Sequence, residues 1–143
     1  MAKAKPAELL FPVLCLSQDS SISVAESAER LHRCNALALF KNRYYDNLLV
    51  IDSKADRFRV ERAEVVPALS AVGRWTARVL NRKLQVELQL EQEGSGSLDD
   101  AKRIVSEWLG RAPDFWEASR DIEEWREMVA RAGTVGGLIA LFS

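Results

Sequence analysis

Hydrophobic and polar residues alternate most regularly over residues 73–91, whose sequence is GRWTARVLNRKLQVELQLE. The alternation predicts a β-hairpin that turns at Asn81 and Arg82. Its apolar face would consist of Gly73, Trp75, Ala77, Val79, Leu84, Val86, Leu88 and Leu90. Its polar face would pair Arg78 with Gln85, Thr76 with Glu87 and Arg74 with Gln89. We therefore predict a half-buried antiparallel ribbon whose apolar face needs a covering layer.

A second hairpin is predicted over residues 47–60, NLLVIDSKADRFRV, with a four-residue loop at residues 53–56. Its register places Ile51 opposite Phe58, Leu49 opposite Val60 and Asp52 opposite Arg57. Beyond Arg62 the alternation slips by one residue, which is typical of a β-bulge, and Pro67 is expected to end the strand. The two hairpins are predicted to share one sheet.

The N-terminal part of the chain predicts a strand followed by a helix. Residues 1–8 are expected to form a flexible tail, and residues 11–17 a strand that is covered on both faces. Ser23 and Glu26 have the spacing of a capping box, so a helix is expected to begin there and to end near Cys34. The secondary structure of residues 36–46 stays open, because the segment ALALFK suits both a strand and a helical turn.

Amphipathic helices are predicted after a flexible connector at residues 93–97, EGSGS. Ser97 and Asp100 form a capping box at the start of the first of them, and Gly110 is expected to end it. Its apolar stripe consists of Ala101, Ile104, Val105 and Trp108. We expect this stripe to pack on the sheet, because each layer leaves an apolar face that the other can cover.

Asp114 and Glu117 have the spacing to cap the next helix, which is expected to end at Gly133. Its apolar stripe consists of Phe115, Ala118, Ile122, Trp125, Val129 and Ala132. Trp116 lies off this stripe, so it either fills the corner between helices or is an exposed anchor for a partner. Thr134 is expected to start a short last helix that covers the core.

These elements together predict an α+β fold with one antiparallel sheet, made of the two hairpins and the N-terminal strand. The N-terminal helix and two to three C-terminal helices are expected to cover one face of the sheet. A chain of 143 residues fits a single domain, residues 1–143, with one core. If an edge strand of the sheet is uncovered, two copies of the chain could pair through it and form a homodimer.

The charge of the chain is balanced as a whole but not along its length. The formal net charge is −1, with 48% hydrophobic and 29% charged residues, as in a soluble globular protein. Residues 41–83 carry 10 basic and 5 acidic side chains, whereas residues 84–143 carry 6 basic and 12 acidic ones. The two parts can attract each other within the fold or serve a partner.

The sequence favours a cytoplasmic protein. The start, MAKAKPAELLFPVLCLS, has a short apolar run that Pro12 interrupts and no cleavage site typical of a signal peptide. No segment approaches the roughly 18 apolar residues of a membrane span. Cys15 and Cys34 fit reduced thiols in such a compartment better than a disulfide framework.

We assign no catalytic residue, cofactor or metal from the sequence. His32, Cys34 and Cys15 could be imagined around zinc, but positions two apart on a helix diverge and a fourth ligand is missing. One histidine would have to serve every general-base scheme, and neither a nucleophile elbow nor a phosphate loop is present. The acidic residues at positions 121–127 have the spacing of a solvated helix face.

The better functional candidate is a contact surface on the polar face of the sheet. It would contain Arg57, Arg59, Arg74, Arg78 and Arg82, with Tyr44 and Tyr45 in a nearby loop and Trp116 as a further contact. Exposed arginines and aromatic residues are typical of surfaces that bind an acidic protein or RNA. The alternative is that Glu61, Glu87 and Glu91, or the acidic helix, neutralise the arginines internally.

The segments YYDNLLVIDSKADRFRV (residues 44–60) and DFWEASRDIEEW (residues 114–125) resemble small uncharacterised bacterial proteins, some of which are similar to immunity proteins of polymorphic toxin systems. The resemblance covers the order of elements along most of the chain. It implies a non-enzymatic protein that binds and blocks a toxin, and it transfers no functional residue.

We therefore expect a non-catalytic protein-binding module, in its specific form an immunity or inhibitor protein. A nucleic-acid or nucleotide binder that uses the arginines of the sheet is the alternative. An enzyme whose site is assembled from scattered residues is a third hypothesis, which would require a deep pocket lined by acids with shifted pKa values.

Overall fold

The structure is a computed structural model that describes residues 3–41, 43–66 and 69–143. The strands in this part of the chain are β1 (Lys3–Ala4), β2 (Val13–Leu16), β3 (Ile22–Ala25), β4 (Arg33–Asn35), β5 (Leu49–Ile51), β6 (Arg57–Val65) and β7 (Lys83–Gly94). The α-helices are α1 (Ala28–Leu31), α2 (Ala71–Leu80), α3 (Leu98–Arg111), α4 (Pro113–Glu117), α5 (Ile122–Arg131) and α6 (Val135–Ala140). A 3-10 turn spans Pro6–Glu8, and a π-helical turn spans Leu37–Lys41.

The described strands form one antiparallel sheet in the order β1-β7-β6-β5-β2-β3, and β4 pairs with the start of β7. The long strands β6 and β7 make up its centre, and α2 connects them. The α+β class and the antiparallel sheet predicted from the sequence are thus confirmed.

Both faces of the sheet carry a hydrophobic core, because successive side chains of a strand point to opposite faces. Leu14 and Ile51 belong to the first core, in which α3, α4, α5 and α6 cover strands β2, β3 and β5. Val13 and Val50, their neighbours in sequence, belong to the second core, which also contains Leu31 of α1. The helices therefore lie on both faces, whereas we predicted them on one.

The hairpin over residues 47–60 is confirmed, but its register differs by one residue from the prediction. Strands β5 and β6 pair Leu49 with Arg59, Val50 with Phe58 and Ile51 with Arg57. The loop has three residues instead of four, because the Asp52 N–H donates to the Asp56 carbonyl at 3.1 Å and Ala55 adopts a left-handed φ of 67°. The buried Asp52 carboxylate also accepts from the N–H groups of Lys54 and Asp56, at 2.9 and 3.1 Å.

A shift in the pairing of β6 with β7 between Val60 and Arg62 confirms a bulge in this strand but places it before Arg62, whereas the slip was predicted beyond that residue. Pro67, which we expected to end β6, lies outside the described residues. The last described residue before it is Val66, whose N–H still donates to the Gln85 carbonyl at 2.9 Å.

The predicted hairpin over residues 73–91 is wrong in its first half. Residues 83–91 do belong to a strand, β7, but Ala71–Leu80 is an α-helix. Ser70 caps this helix by accepting from the Gly73 N–H at 3.0 Å, and Asn81 ends it with a left-handed φ of 47°. Strand β7 consequently pairs with β6 along most of its length and not with the segment before it.

The N-terminal predictions need two corrections. Residues 3–8, expected in a flexible tail, form β1 and a 3-10 turn, and β1 pairs Ala4 with Leu90. Ser23 does not start a helix, since Ile22–Ala25 is a strand that pairs with β2. The helix begins after Ser27, whose hydroxyl accepts from the Arg30 N–H at 3.3 Å, and ends at Leu31, so that Cys34, expected near its end, lies in β4.

The capping box of Ser97 and Asp100 is confirmed at the start of α3, as is the burial of all four stripe residues predicted for that helix. Strand β7 runs to Gly94, into the predicted connector, and α3 continues to Arg111, one residue beyond Gly110. Asp114 and Glu117 do not cap one long helix, because residues 118–121 separate α4 from α5. Thr134 caps the last helix, α6, as predicted. No helix within the described ranges is both long and apolar enough to cross a membrane.

Candidate protein-binding surface

Helix α2 packs on the fold through Ala77 and exposes its large apolar side chains. Ala77 is its one buried residue, at 3% exposure. By contrast, Val72 is 74% exposed, Trp75 68%, Val79 62% and Leu80 58%. These four residues lie three, four or one position apart, so they form one stripe on a helix of 3.6 residues per turn. We call this stripe the α2 face.

The C-terminal end of α2 is hydrogen-bonded to the segment after β4. The Ala36 N–H donates to the Arg82 carbonyl at 2.8 Å, and the Leu37 N–H donates to the Asn81 Oδ1 at 3.1 Å. The Arg82 N–H closes the helix by donating to the Ala77 carbonyl at 3.0 Å. These bonds orient the helix through its backbone, without burial of the α2 face.

The exposure of the α2 face is costly for a folded protein. Burying one such side chain contributes about 1.5–3 kcal/mol, and an isolated helix of this length is marginal in water. Single exposed apolar residues are common, but a contiguous stripe with a tryptophan at its centre is typical of an interaction surface. Tryptophan and arginine are also the residues enriched at energetic hot spots of interfaces.

The surroundings of the α2 face are basic. No acidic residue occurs between Glu64 and Glu87, whereas this interval contains Arg74, Arg78, Arg82 and Lys83. Arg74 and Arg78, four positions apart, share one flank of the helix, and Arg78 is three positions from Trp75. The apolar stripe therefore has a positive border and suits a partner with acidic groups around an apolar contact.

The structure divides the predicted arginine surface into two separate groups. Arg74, Arg78 and Arg82 belong to α2 and its C-terminal turn, next to the far end of β6. Arg57 and Arg59 lie at the beginning of β6, about 26 and 20 Å from its end at about 3.3 Å per residue. One continuous face of five arginines, as the sequence predicted, does not form.

Arg59 is engaged within the fold. Its Nε donates to Glu93 at 2.7 Å, and its Nη1 donates to the Asn47 carbonyl at 2.8 Å. Arg57 is only partly exposed, and its Nε is buried without a hydrogen-bond partner among the described residues. Glu93 is thus a neutralising partner in this part of the sheet, although the sequence pointed to Glu61, Glu87 and Glu91.

Tyr44 and Tyr45 pack in the second core instead of contributing to a contact surface. Tyr45 is 2% exposed, and its hydroxyl donates to the Leu31 carbonyl at 2.7 Å. The Tyr44 hydroxyl lies 3.1 Å from that of Ser23. Burial raises the pKa of both phenols well above their ordinary range, so both stay protonated at neutral pH.

Trp116 fills the corner between helices, one of the two alternatives that the sequence left open. It is 7% exposed and packs edge-on against Trp125, with ring centroids 5.3 Å apart, and against Phe142. Its neighbour Phe115, expected on the apolar stripe, is 64% exposed. Trp116 is therefore unavailable to a partner, and Phe115 takes the exposed position.

The two cysteines show little sign of nucleophilic chemistry. Cys15 and Cys34 are free and line one small cavity of about 200 Å³ together with Tyr44. Burial raises the pKa of Cys15 to about 12 and that of Cys34 to about 11, so both thiols are protonated at neutral pH. Within the described residues, no group of three or more His, Cys, Asp or Glu side chains could hold a metal ion.

A groove of about 730 Å³ lies beside α2, along the outer edge of β6. Leu39, Leu69 and Val60 contribute apolar surface to it, and charged side chains lie around them. Its acids are paired: Glu61 with Lys3 at 2.6 Å, Asp46 with Arg43 at 3.3 Å and Glu64 with Arg62. The pairing with Lys3 lowers the pKa of Glu61, which is the opposite of the raised pKa expected for a catalytic acid in a pocket.

Three arginines of this surface, Arg74, Arg78 and Arg82, were predicted from the sequence as contact residues, whereas its apolar centre was predicted to be buried. The signal was present, because Val72, Trp75, Val79 and Leu80 have helical spacing as well as partial alternation. Comparison with known proteins adds no family: no protein-family model matches the chain, and searches of curated proteins and of solved structures find no significant match.

Proposed function

We propose that this chain is a cytoplasmic, non-catalytic protein-binding module whose contact surface is the α2 face. The observation that carries the proposal is the 68% exposed Trp75 at the centre of a stripe of large apolar side chains. Arg74 and Arg78 on its flank supply the positive border. Two free thiols fit a reducing compartment, and their raised pKa values argue against a cysteine nucleophile.

The partner suited to this surface is an acidic protein with an apolar groove. An amphipathic helix docks into such a groove by residues spaced three and four apart, which is the spacing of Val72, Trp75 and Val79. Acidic groups at the rim of the groove would meet Arg74 and Arg78. Because α2 is already folded and capped, binding would not require the helix to form.

A photo-crosslinking amino acid at position 75 tests the proposal in the native host. The control carries the same amino acid at Glu107, an exposed position on α3. We expect one acidic protein to be captured from position 75 and not from position 107. With that protein purified, Trp75→Ala should weaken binding by at least about 30-fold, as for a hot-spot residue, and Glu107→Gln by less than about twofold. Equal capture from positions 75 and 107, or equal affinities of Trp75→Ala and Glu107→Gln for the captured protein, would contradict the proposal.

The resemblance to immunity proteins gives the partner a specific form, a toxin. If the neighbouring gene encodes one, cells that express it should survive with the wild-type chain and with Glu107→Gln, and should die with Trp75→Ala. If cells that carry an active toxin gene survive deletion of the gene for this chain, the immunity role is excluded. The crosslinking result would still decide whether the chain binds a protein.

Nucleic-acid binding is the second candidate, favoured by the run of four basic and no acidic residues from position 65 to 86. A fluorescent RNA would then bind with a slope of roughly −3 in log affinity against log salt, because up to four phosphates are contacted. We expect no such binding at low salt. Salt-sensitive RNA binding that survives Val79→Ser would replace the protein-binding proposal.

A further inference from the structure

The chain carries a second exposed aromatic residue with the opposite electrostatic surroundings. Phe115 in α4 is 64% exposed, and Asp114 and Glu117 flank it. Asp121, which precedes α5, is exposed as well. Among the described residues, none of these three acids has an ion-pair partner, whereas Glu123 and Glu127 pair with arginines of α5. We call Asp114, Phe115, Glu117 and Asp121 the acidic knob.

The acidic knob and the α2 face complement each other. One offers an exposed phenylalanine with carboxylates around it, and the other offers an exposed tryptophan and aliphatic stripe beside arginines. Contact between them would remove both aromatic side chains from water and would bring opposite charges together.

We infer that, in the absence of another partner, the acidic knob of a second copy of this chain occupies the α2 face. The inference concerns the surface of the proposed function, which the second copy would cover until a protein partner displaces it. The acidic knob has the chemistry that we propose for the partner, acidic groups around an apolar contact, so such a surface is already present on the chain itself.

Pairing of two α2 faces with each other is disfavoured by charge. Such a contact would bring Arg74 and Arg78 of one copy towards the same residues of the other, and like charges across an interface are repulsive. A contact of α2 with the acidic knob is head-to-tail. Head-to-tail contacts leave one face and one knob unused at the ends, so they extend into larger assemblies unless they close into a ring.

Sedimentation and light scattering over a range of protein concentrations test the inference. The wild type should gain mass with concentration and should lose it at high salt, because the knob and the face attract each other by charge. Trp75→Ser and Phe115→Ser should each remain monomeric. Leu10→Ser is the matched control, since it also removes an exposed apolar side chain, and it should behave as the wild type.

Mixing the two monomeric variants makes the test specific. Trp75→Ser retains the knob and Phe115→Ser retains the α2 face, so a mixture should form a one-to-one dimer held by a single contact. A wild type that stays monomeric at every concentration would overturn the inference. So would a Phe115→Ser protein that still self-associates, or a mixture that does not dimerise although both variants show native circular dichroism.

The proposed function can fail independently of this inference. If the wild type is monomeric but position 75 still captures a partner, the self-association is wrong and the binding module stands. If self-association behaves as expected but Trp75→Ala does not weaken partner binding, the self-association stands and the proposed binding function of the α2 face is wrong.

Discussion

Trp75 differs from the other three tryptophans in its exposure to water. Trp108, Trp116 and Trp125 are all less than a tenth exposed, while Trp75 is 68% exposed. The indole N–H of Trp108 donates to the Ser17 carbonyl at 2.8 Å and that of Trp125 to the Trp116 carbonyl at 3.0 Å, so both are integral to the first core. Fluorescence can therefore report on α2 separately from the core.

We predict that Trp75→Phe removes most of the red-shifted, acrylamide-quenchable fluorescence and leaves the free energy of unfolding within about 0.5 kcal/mol of the wild type, as for a surface substitution. Trp108→Phe is the matched control. It should remove shielded emission and should destabilise the protein, because the Ser17 carbonyl loses its buried donor. Shielded emission from Trp75 in the monomer would mean that α2 packs differently.

The thiol of Cys15 predicts a loss of stability in alkaline solution. In the unfolded chain the thiol ionises near its ordinary pKa of 9, whereas burial raises the pKa of native Cys15 to about 12. Between these values the unfolded state binds fewer protons than the native state, so the free energy of unfolding falls as the pH rises. The loss amounts to about 1.4 kcal/mol for each pH unit in this window.

Urea unfolding at about pH 8 and at about pH 10 measures this loss. From about pH 8 to about pH 10, the free energy of unfolding of Cys15→Ala should fall by about 1 kcal/mol less than that of the wild type, because the variant lacks the thiol that ionises. Val13→Ala on the same strand is the control, which should lower stability at both pH values and keep the wild-type difference between them. A Cys15→Ala protein with the wild-type pH dependence would contradict the buried thiol.

At the scale of elements, local signals were predicted only in part, because Ser97 and Asp100 form the predicted capping box whereas Ser23 lies in a strand and does not start a helix. The capping box of Ser97 and Asp100 is confirmed, and all of its partners lie within four consecutive residues. The prediction of a strand over residues 73–80 is wrong because the segment fits two patterns. Apolar residues at positions 75, 77 and 79 alternate as in a strand, while those at positions 72, 75, 79 and 80 have helical spacing.

Two further errors have other causes. The register of β5 and β6 depends on hydrogen bonds from loop N–H groups to the Asp52 carboxylate, which shorten the loop by one residue. The outward orientation of Trp75 depends on which side of α2 meets the rest of the fold, and helical spacing alone does not specify this. The candidate site was thus predictable in its arginines and not in its apolar centre.

The cap of α3 provides a prediction at this scale. Ser97→Ala removes the acceptor of the Asp100 N–H, which the Ser97 hydroxyl binds at 3.3 Å, and should lower the free energy of unfolding by about 1 kcal/mol. Ser95→Ala, at an exposed position in the same connector, should change it by less than about 0.5 kcal/mol. Equal effects of the two substitutions in thermal or urea unfolding would show that the capping box does not stabilise α3.

At the scale of the whole molecule, the two cores are built on the same strands. Leu14 and Leu16 of β2 pack in the first core, while Val13 and Cys15 of the same strand pack in the second. If one core unfolds, one face of these strands becomes exposed to water, although their other face still packs in the remaining core. We therefore expect one cooperative unfolding transition and not two.

The placement of the tryptophans allows this cooperativity to be measured, because Trp108, Trp116 and Trp125 all lie in the first core and no described residue of the second core is a tryptophan. In a Trp75→Phe background, Leu88→Ala creates a cavity in the second core and should cost about 2–5 kcal/mol. Its urea midpoint should fall equally by tryptophan fluorescence and by circular dichroism. Leu109→Ala in the first core should do the same, and the exposed Leu10→Ala should shift neither signal. If Leu88→Ala lowers the circular dichroism midpoint but leaves the fluorescence midpoint unchanged, the two cores unfold separately and the shared strands do not couple them.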